Sequence, residues 1–226
     1  TVLFYKNFEL GVGVNDLGSE IDWSTTVKRH TYSDSLNEFS TALVGRDRAL
    51  IQKVQANEPK LDRYQLEIDS EAIRLITIYA PIAKDLRFLL MVARINSELE
   101  RIGDQALNNS EYVLLLLSAP PAQTLRDISR MSEITRGMVH DALQAFHDED
   151  TERARQVLKA DDEVDALNSQ TFRDLLTDKN VDLDTINQSM TLILLARSLE
   201  RIADHATNIC EEVIYLVKGE DIRHQT

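Results

Sequence analysis

The chain has 226 residues, 43% hydrophobic but only 6% aromatic, enough to bury one large core or two smaller ones. Seven glycines and four prolines supply few turns for a β-sandwich or barrel, so an all-α protein is expected. With 25 basic and 38 acidic residues the net charge is −13, a field that repels phosphate backbones, disfavours direct nucleic-acid binding and favours cations and basic protein surfaces.

A single cysteine, Cys210, makes no intramolecular disulfide, and no basic, apolar and cleavable leader opens the sequence. A cytoplasmic location follows as the expectation. The longest aliphatic run, Val113 to Leu117, falls far short of the roughly 18 residues of a membrane span, so any membrane contact is expected only through protein partners.

Residues 1–32 resist assignment, because Gly11, Gly13 and Gly18 break the helical period and the only tryptophan, Trp23, sits in a polar stretch. From about Ser33 to Gln55 the pattern predicts a helix holding Leu36, Phe39 and Leu43 inward. A second helix carries Val54, Glu58 and Asp62. The third places Val92, Ile95, Leu99, Ile102, Ala106, Val113 and Leu116 on one stripe, with Pro81 suited to its first turn. Pro120-Pro121 then separates the two units.

The second unit repeats the plan. Leu125, Ile128, Met131, Thr135, Met138, Ala142 and Ala145 recur at three- and four-residue steps. A helix near 150–177 follows, where the acidic cluster Asp161-Asp162-Glu163 with Asp165 suggests a kink or break. The last helix carries Leu192, Leu195, Leu199, Ile202, Ala206, Ile209, Val213 and Leu216 and stops at Gly219. Two tandem antiparallel three-helix bundles are expected, over residues 1–119 and 120–219, with 220–226 as a tail.

The most informative feature is an internal repeat. Leu99-Glu100-Arg101-Ile102-x-Asp104 returns as Leu199-Glu200-Arg201-Ile202-x-Asp204, and nine of the fifteen positions from 99 to 113 match those one hundred residues later. Helical rotation of about 100° per residue stacks Glu100, Asp104 and Asn108 on one side, continued by Glu111, and stacks Glu200, Asp204, Asn208 and Glu211 likewise. Like charges four apart destabilise a helix, more so beside a buried face, so a positive partner belongs there. Arg101, Arg201 and Arg197 offer ordinary surface ion pairs. The other reading is one or more metal ions held by hard oxygen ligands.

Gly103 inside a helix costs about 1 kcal/mol relative to Ala, and its repeat partner is Ala203. Both point to a close approach, by a neighbouring helix or by a metal cluster. His205 turns about 100° away from Asp204 and reads as a surface or edge residue rather than a ligand. Cys210 aligns with Ser110 and reads as a half-buried small residue. No Glu-x-x-His pair, phosphate loop or nucleophile motif is present, which leaves an enzyme little to work with.

The doubled Leu-Glu-Arg-Ile-x-Asp-x-Ala-x-Asn motif, Asp85-Leu86-Arg87, the acidic elbow ending at Asp165 and the closing Ile-Ala-Asp-His-Ala-Thr-Asn-Ile resemble the PhoU family over about Ala42 to Gly219. The resemblance implies a non-enzymatic negative regulator of the phosphate-starvation response, coupling a phosphate ABC transporter and its ATPase to a sensor histidine kinase. It also implies a homodimer and metal at Glu100, Asp104 and Asn108 and at Glu200, Asp204 and Asn208, with iron, manganese, magnesium or zinc as candidate ions. A metal-storage or metal-dependent hydrolytic protein is the alternative. Residues 1–32 depart from the family's opening helix, Asp184-Thr185-Ile186 stands where repeat one has Asp85-Leu86-Arg87, and Asn109 replaces the apolar Ile209, which should loosen the first bundle.

Overall fold

The computed structural model describes residues 2–5, 8–11, 23–24, 48–117, 125–177 and 182–223. Five helices make up most of it: α1 (Arg48–Tyr79), α2 (Ala83–Leu117), α3 (Leu125–Asp148), α4 (Thr151–Thr177) and α5 (Leu183–Lys218). Ahead of them, β1 (Val2–Tyr5), β2 (Phe8–Gly11) and β3 (Trp23–Ser24) form a small antiparallel meander, with Leu10 opposite Leu3 on one side and Trp23 on the other. The meander occupies the segment whose glycines defeat the helical pattern.

The expected apolar stripes are the buried ones. All eight stripe residues of α5 are at most 1% exposed, and those of α2 are buried except Leu99, which is half-buried. On α3, Ile128, Met131, Thr135, Met138, Ala142 and Ala145 are buried. α1 packs on α2, and α3, α4 and α5 pack on one another. The two long helices α2 and α5 lie against each other, so Ile51 and Val54 of α1, Ile102 of α2, Val164 of α4 and Ile202 of α5 share one core. Phe88 of α2 stacks on Phe146 of α3, with centroids 6.0 Å apart and planes at 7°, and ties the halves at a second point.

The seam between α2 and α5 carries the signature of the repeat. Glu98 meets His205 at 2.8 Å, and Ser198 Oγ donates to Gln105 Oε1 at 2.9 Å. These are the same two repeat positions, 98/198 and 105/205, used in opposite directions. The long helices are thereby related by a pseudo-two-fold axis.

Helix ends follow local chemistry. Asp182 caps α5 by accepting from Thr185 N at 2.6 Å, and Gly219 ends it in the left-handed region at φ 71°. Asp150 Oδ1 accepts from the amides of Glu152 and Arg153 to start α4. The turn from α1 to α2 uses two non-glycine residues with positive φ, Ala80 at 43° and Ala83 at 48°.

Three expectations about the elements change. Residues 48–55 do not close a first helix but open α1, which runs unbroken to Tyr79 and accommodates Pro59 at the loss of one backbone bond. Leu36, Phe39 and Leu43 lie outside the described residues. Pro81 sits in the connector before α2, not in its first turn. The acidic run at Asp161–Asp165 breaks nothing, because buried Ala154, Val157, Val164 and Thr171 anchor one face of a continuous α4, with Asp161 at the edge of that face.

Candidate functional site

The duplicated stripes become two acidic clusters, each completed by a helix that the repeat motif does not include. Glu100 is half-buried, and its carboxyl is raised by burial first, then by repulsion from Asp104 and from Asp62 of α1. In the second half, burial and then Asp204 and Asp165 raise Glu200, while burial and then Asp165 raise Asp204. Asp161 is the most perturbed carboxyl of the group. Burial, followed by Asp165, Asp204, Asp162 and Glu200, pushes it from 3.8 up to about 6.

The second cluster is thus Asp161 and Asp165 of α4 facing Glu200 and Asp204 of α5. In the first, Asp62 of α1 faces Glu100 and Asp104 of α2; the side chain of Glu58, which aligns with Asp161, lies outside the described ones. Such concentrations of negative charge are unfavourable without a counterion.

The donor chemistry suits a hard cation, since the second cluster offers only carboxylate oxygens and Asp161 Oδ1 is buried with no hydrogen-bond partner. Among the described residues, no three His, Cys, Asp or Glu side chains close on one point as a bound ion would require. Occupancy therefore calls for rotamer changes of the carboxylates.

The remaining sequence-chosen residues have other partners. Asn208 is drawn to the helix seam, where its Nδ2 donates to Glu98 Oε2 at 3.0 Å, and Asn108 and Glu111 are exposed. Arg101 makes an ordinary ion pair, with Nη1 3.5 Å from Glu98. His205 stands at the edge of the helix seam rather than on the open surface. Its side chain is 12% exposed and bonded to Glu98. Burial acts to raise the Glu98 carboxyl, yet hydrogen bonds from His205 and Asn208, with the charges of His205 and Arg101, hold it below the ordinary carboxylate value.

Cys210 is fully buried rather than half-buried, and burial drives its thiol pKa well upward, so it is inert. Gly103 and Ala203 are both buried, as a close approach demands. Asn109 is also fully buried, and neither of its amide atoms has a partner. Sequence reasoning passed over Asp161 and Asp165 as ligand candidates, although their offset of 103 from Glu58 and Asp62 marks them as a second duplicated pair.

Fold and site together define a duplicated helical-bundle protein with an acidic cluster in each half. The PhoU domain model matches the chain twice, at residues 30–113 and 128–213, and the chain belongs to the PhoU family. It is 40% identical over 185 residues to the phosphate-specific transport system accessory protein PhoU homolog of Caulobacter vibrioides, covering 81% of this chain and 80% of that protein. The Aquifex aeolicus homolog is 38% identical over 192 residues, covering 85% and 87%. The crystal structure of PhoU from Pseudomonas aeruginosa superposes with a TM-score of 0.82 at 31% identity, covering 86% of this chain and 93% of that one.

Proposed function

We propose that this protein is a non-enzymatic accessory of a phosphate ABC transporter, a negative regulator that couples the transporter to a sensor histidine kinase, with cations at its two acidic clusters. The observation that carries this reading is the family match across both repeats, at least 80% of the length of relatives named as phosphate-specific transport system accessory proteins. Among the described residues no helix is long and apolar enough to cross a membrane, which supports contact with the transporter through its protein surfaces. The net charge of −13 favours basic docking surfaces on both partners and sets encounter rate and selectivity more than affinity.

Asp161, Asp165, Glu200 and Asp204 would hold a cation in the second half, and Asp62, Glu100 and Asp104 would do so in the first. A bound divalent ion supplies the charge that these carboxylates lack and fixes α4 against α5 and α1 against α2. The protein acts in the cytoplasm as a homodimer. Pull-down with the purified transporter ATPase and with the kinase tests the reading. Binding to both that weakens as salt rises is expected; absence of binding to either partner contradicts it.

A further inference from the structure

Basic residues gather where the N-terminal part of α2 meets the C-terminal end of α5, beyond Glu211 at the end of the second acidic stripe. Arg94 of α2 and Arg223 of the tail both place Nη1 at 3.2 Å from the same oxygen, Oε1 of Glu212, which is 7% exposed. Three residues further on, the guanidiniums of Arg87 and Arg223 lie over the Tyr215 ring, with Cζ 5.9 and 6.0 Å from its centroid. The left-handed turn at Gly219 closes on this group so tightly that a Cβ there would stand 2.9 Å from Arg87 Nη1. Asp221 holds Arg223 in place with oxygens 2.8 Å from Nε and 2.6 Å from Nη2.

Three guanidiniums meet the three carboxylates of Glu211, Glu212 and Asp221 here, so the group is locally balanced in a strongly acidic chain. One donor in the group is unexplained. Arg87 Nε is buried with no hydrogen-bond partner, although the side chain is oriented by the Tyr215 face and crowded by the tail. A buried guanidinium donor without an acceptor is unfavourable, and an incoming oxyanion would satisfy it.

We propose that Arg87, Arg94 and Arg223, arranged about Tyr215, form a binding site for a tetrahedral oxyanion of the phosphate type, as the free ion or as a phosphate monoester. Glu212 occupies only Nη1 of Arg94 and of Arg223, and Arg87 Nε has no acceptor, so a ligand with several oxygens is called for. Because Arg223 lies beyond Gly219, the tail is a wall of the site.

The test is calorimetric titration of the full, chelator-treated chain with inorganic phosphate and with methyl phosphate, against chloride at matched ionic strength; the chelator removes binding through a cation. One saturable site per chain is expected, weakened at least tenfold in Arg87→Gln and Arg223→Gln and unchanged in Arg130→Gln, whose arginine pairs with Glu163 on the α3–α4 surface. Arg87→Lys keeps the charge and loses the fork, and an affinity between those of wild type and Arg87→Gln is expected, which also covers the case of an unfolded Arg87→Gln. Tighter inorganic phosphate assigns the free ion and tighter methyl phosphate an esterified group. No saturable binding above chloride, or wild-type affinity in a folded Arg87→Gln or Arg87→Lys variant, overturns the proposal.

Discussion

Replacing Asp161 with Asn should stabilise the cation-free protein, and only at neutral pH and above. Its carboxyl is pushed from 3.8 to about 6 in the folded state by burial and by Asp165, Asp204, Asp162 and Glu200. A group whose folded value is raised binds its proton more tightly when folded. Its favourable contribution is complete below about pH 4 and is lost as pH rises through about 6. A displacement of about two pH units corresponds to roughly 3 kcal/mol. Asp161 is only half-buried, so solvent screening reduces this to roughly 1–2 kcal/mol.

Asn mimics the protonated acid at every pH. Asp161→Asn should therefore match wild type near pH 4 and exceed it by about 1–2 kcal/mol at pH 8, or roughly 3–6 °C in melting temperature for a chain of this size. Thermal or urea unfolding with chelator present, at pH 4, 6 and 8, measures this directly. With millimolar manganese or magnesium the sign should reverse, because wild type then gains binding energy that the variant loses. A stability difference that does not vary between pH 4 and 8 refutes the electrostatic reasoning.

Asn109→Leu should stabilise by about 1–3 kcal/mol in urea unfolding, since it removes two unpartnered buried amide atoms and keeps the branched shape with the same number of heavy atoms. Ile202→Ala, at a fully buried position in the shared core, should cost about 2–5 kcal/mol by the same assay. Gly219→Ala should cost about 1 kcal/mol through its φ of 71°, with a further loss if Arg87 fails to move aside; melting temperature reports the sum. A double-mutant cycle with Glu98→Gln and His205→Ala should show a coupling of about 1 kcal/mol at pH 6, and no coupling would mean that the contact across the seam is energetically silent.

The long helices were legible because Leu192 to Leu216 and Val92 to Leu116 keep a 3.6-residue period over many turns, and burial followed that period almost residue by residue. The carboxylates on those helices were legible through the repeat. Their companions on α4 were not, because four acidic residues within five positions read as a helix breaker until the buried face carrying Val157 and Val164 is seen to hold the helix together.

The pairing of Glu98 with His205 depends on the register between α2 and α5, which no single helix encodes. The repeat held a hint, since positions 98/198 and 105/205 supply both seam contacts. The contact of Asn208 was illegible for the same reason: its own helix places it beside Asp204, but the neighbouring helix presents Glu98 to it. The opening of the first half stayed illegible because residues 1–32 carry three glycines and no apolar period, and a short meander stands in that stretch.

Equilibrium dialysis against manganese, with bound metal counted by atomic absorption, addresses whether the doubled acidic stripes bind cations. The wild-type chain should bind saturably in two separable sets. Glu100→Gln with Asp104→Asn should remove one set, and Glu200→Gln with Asp204→Asn the other. Undiminished manganese binding by a folded protein carrying all four substitutions, or no saturable binding by wild type, would contradict the account.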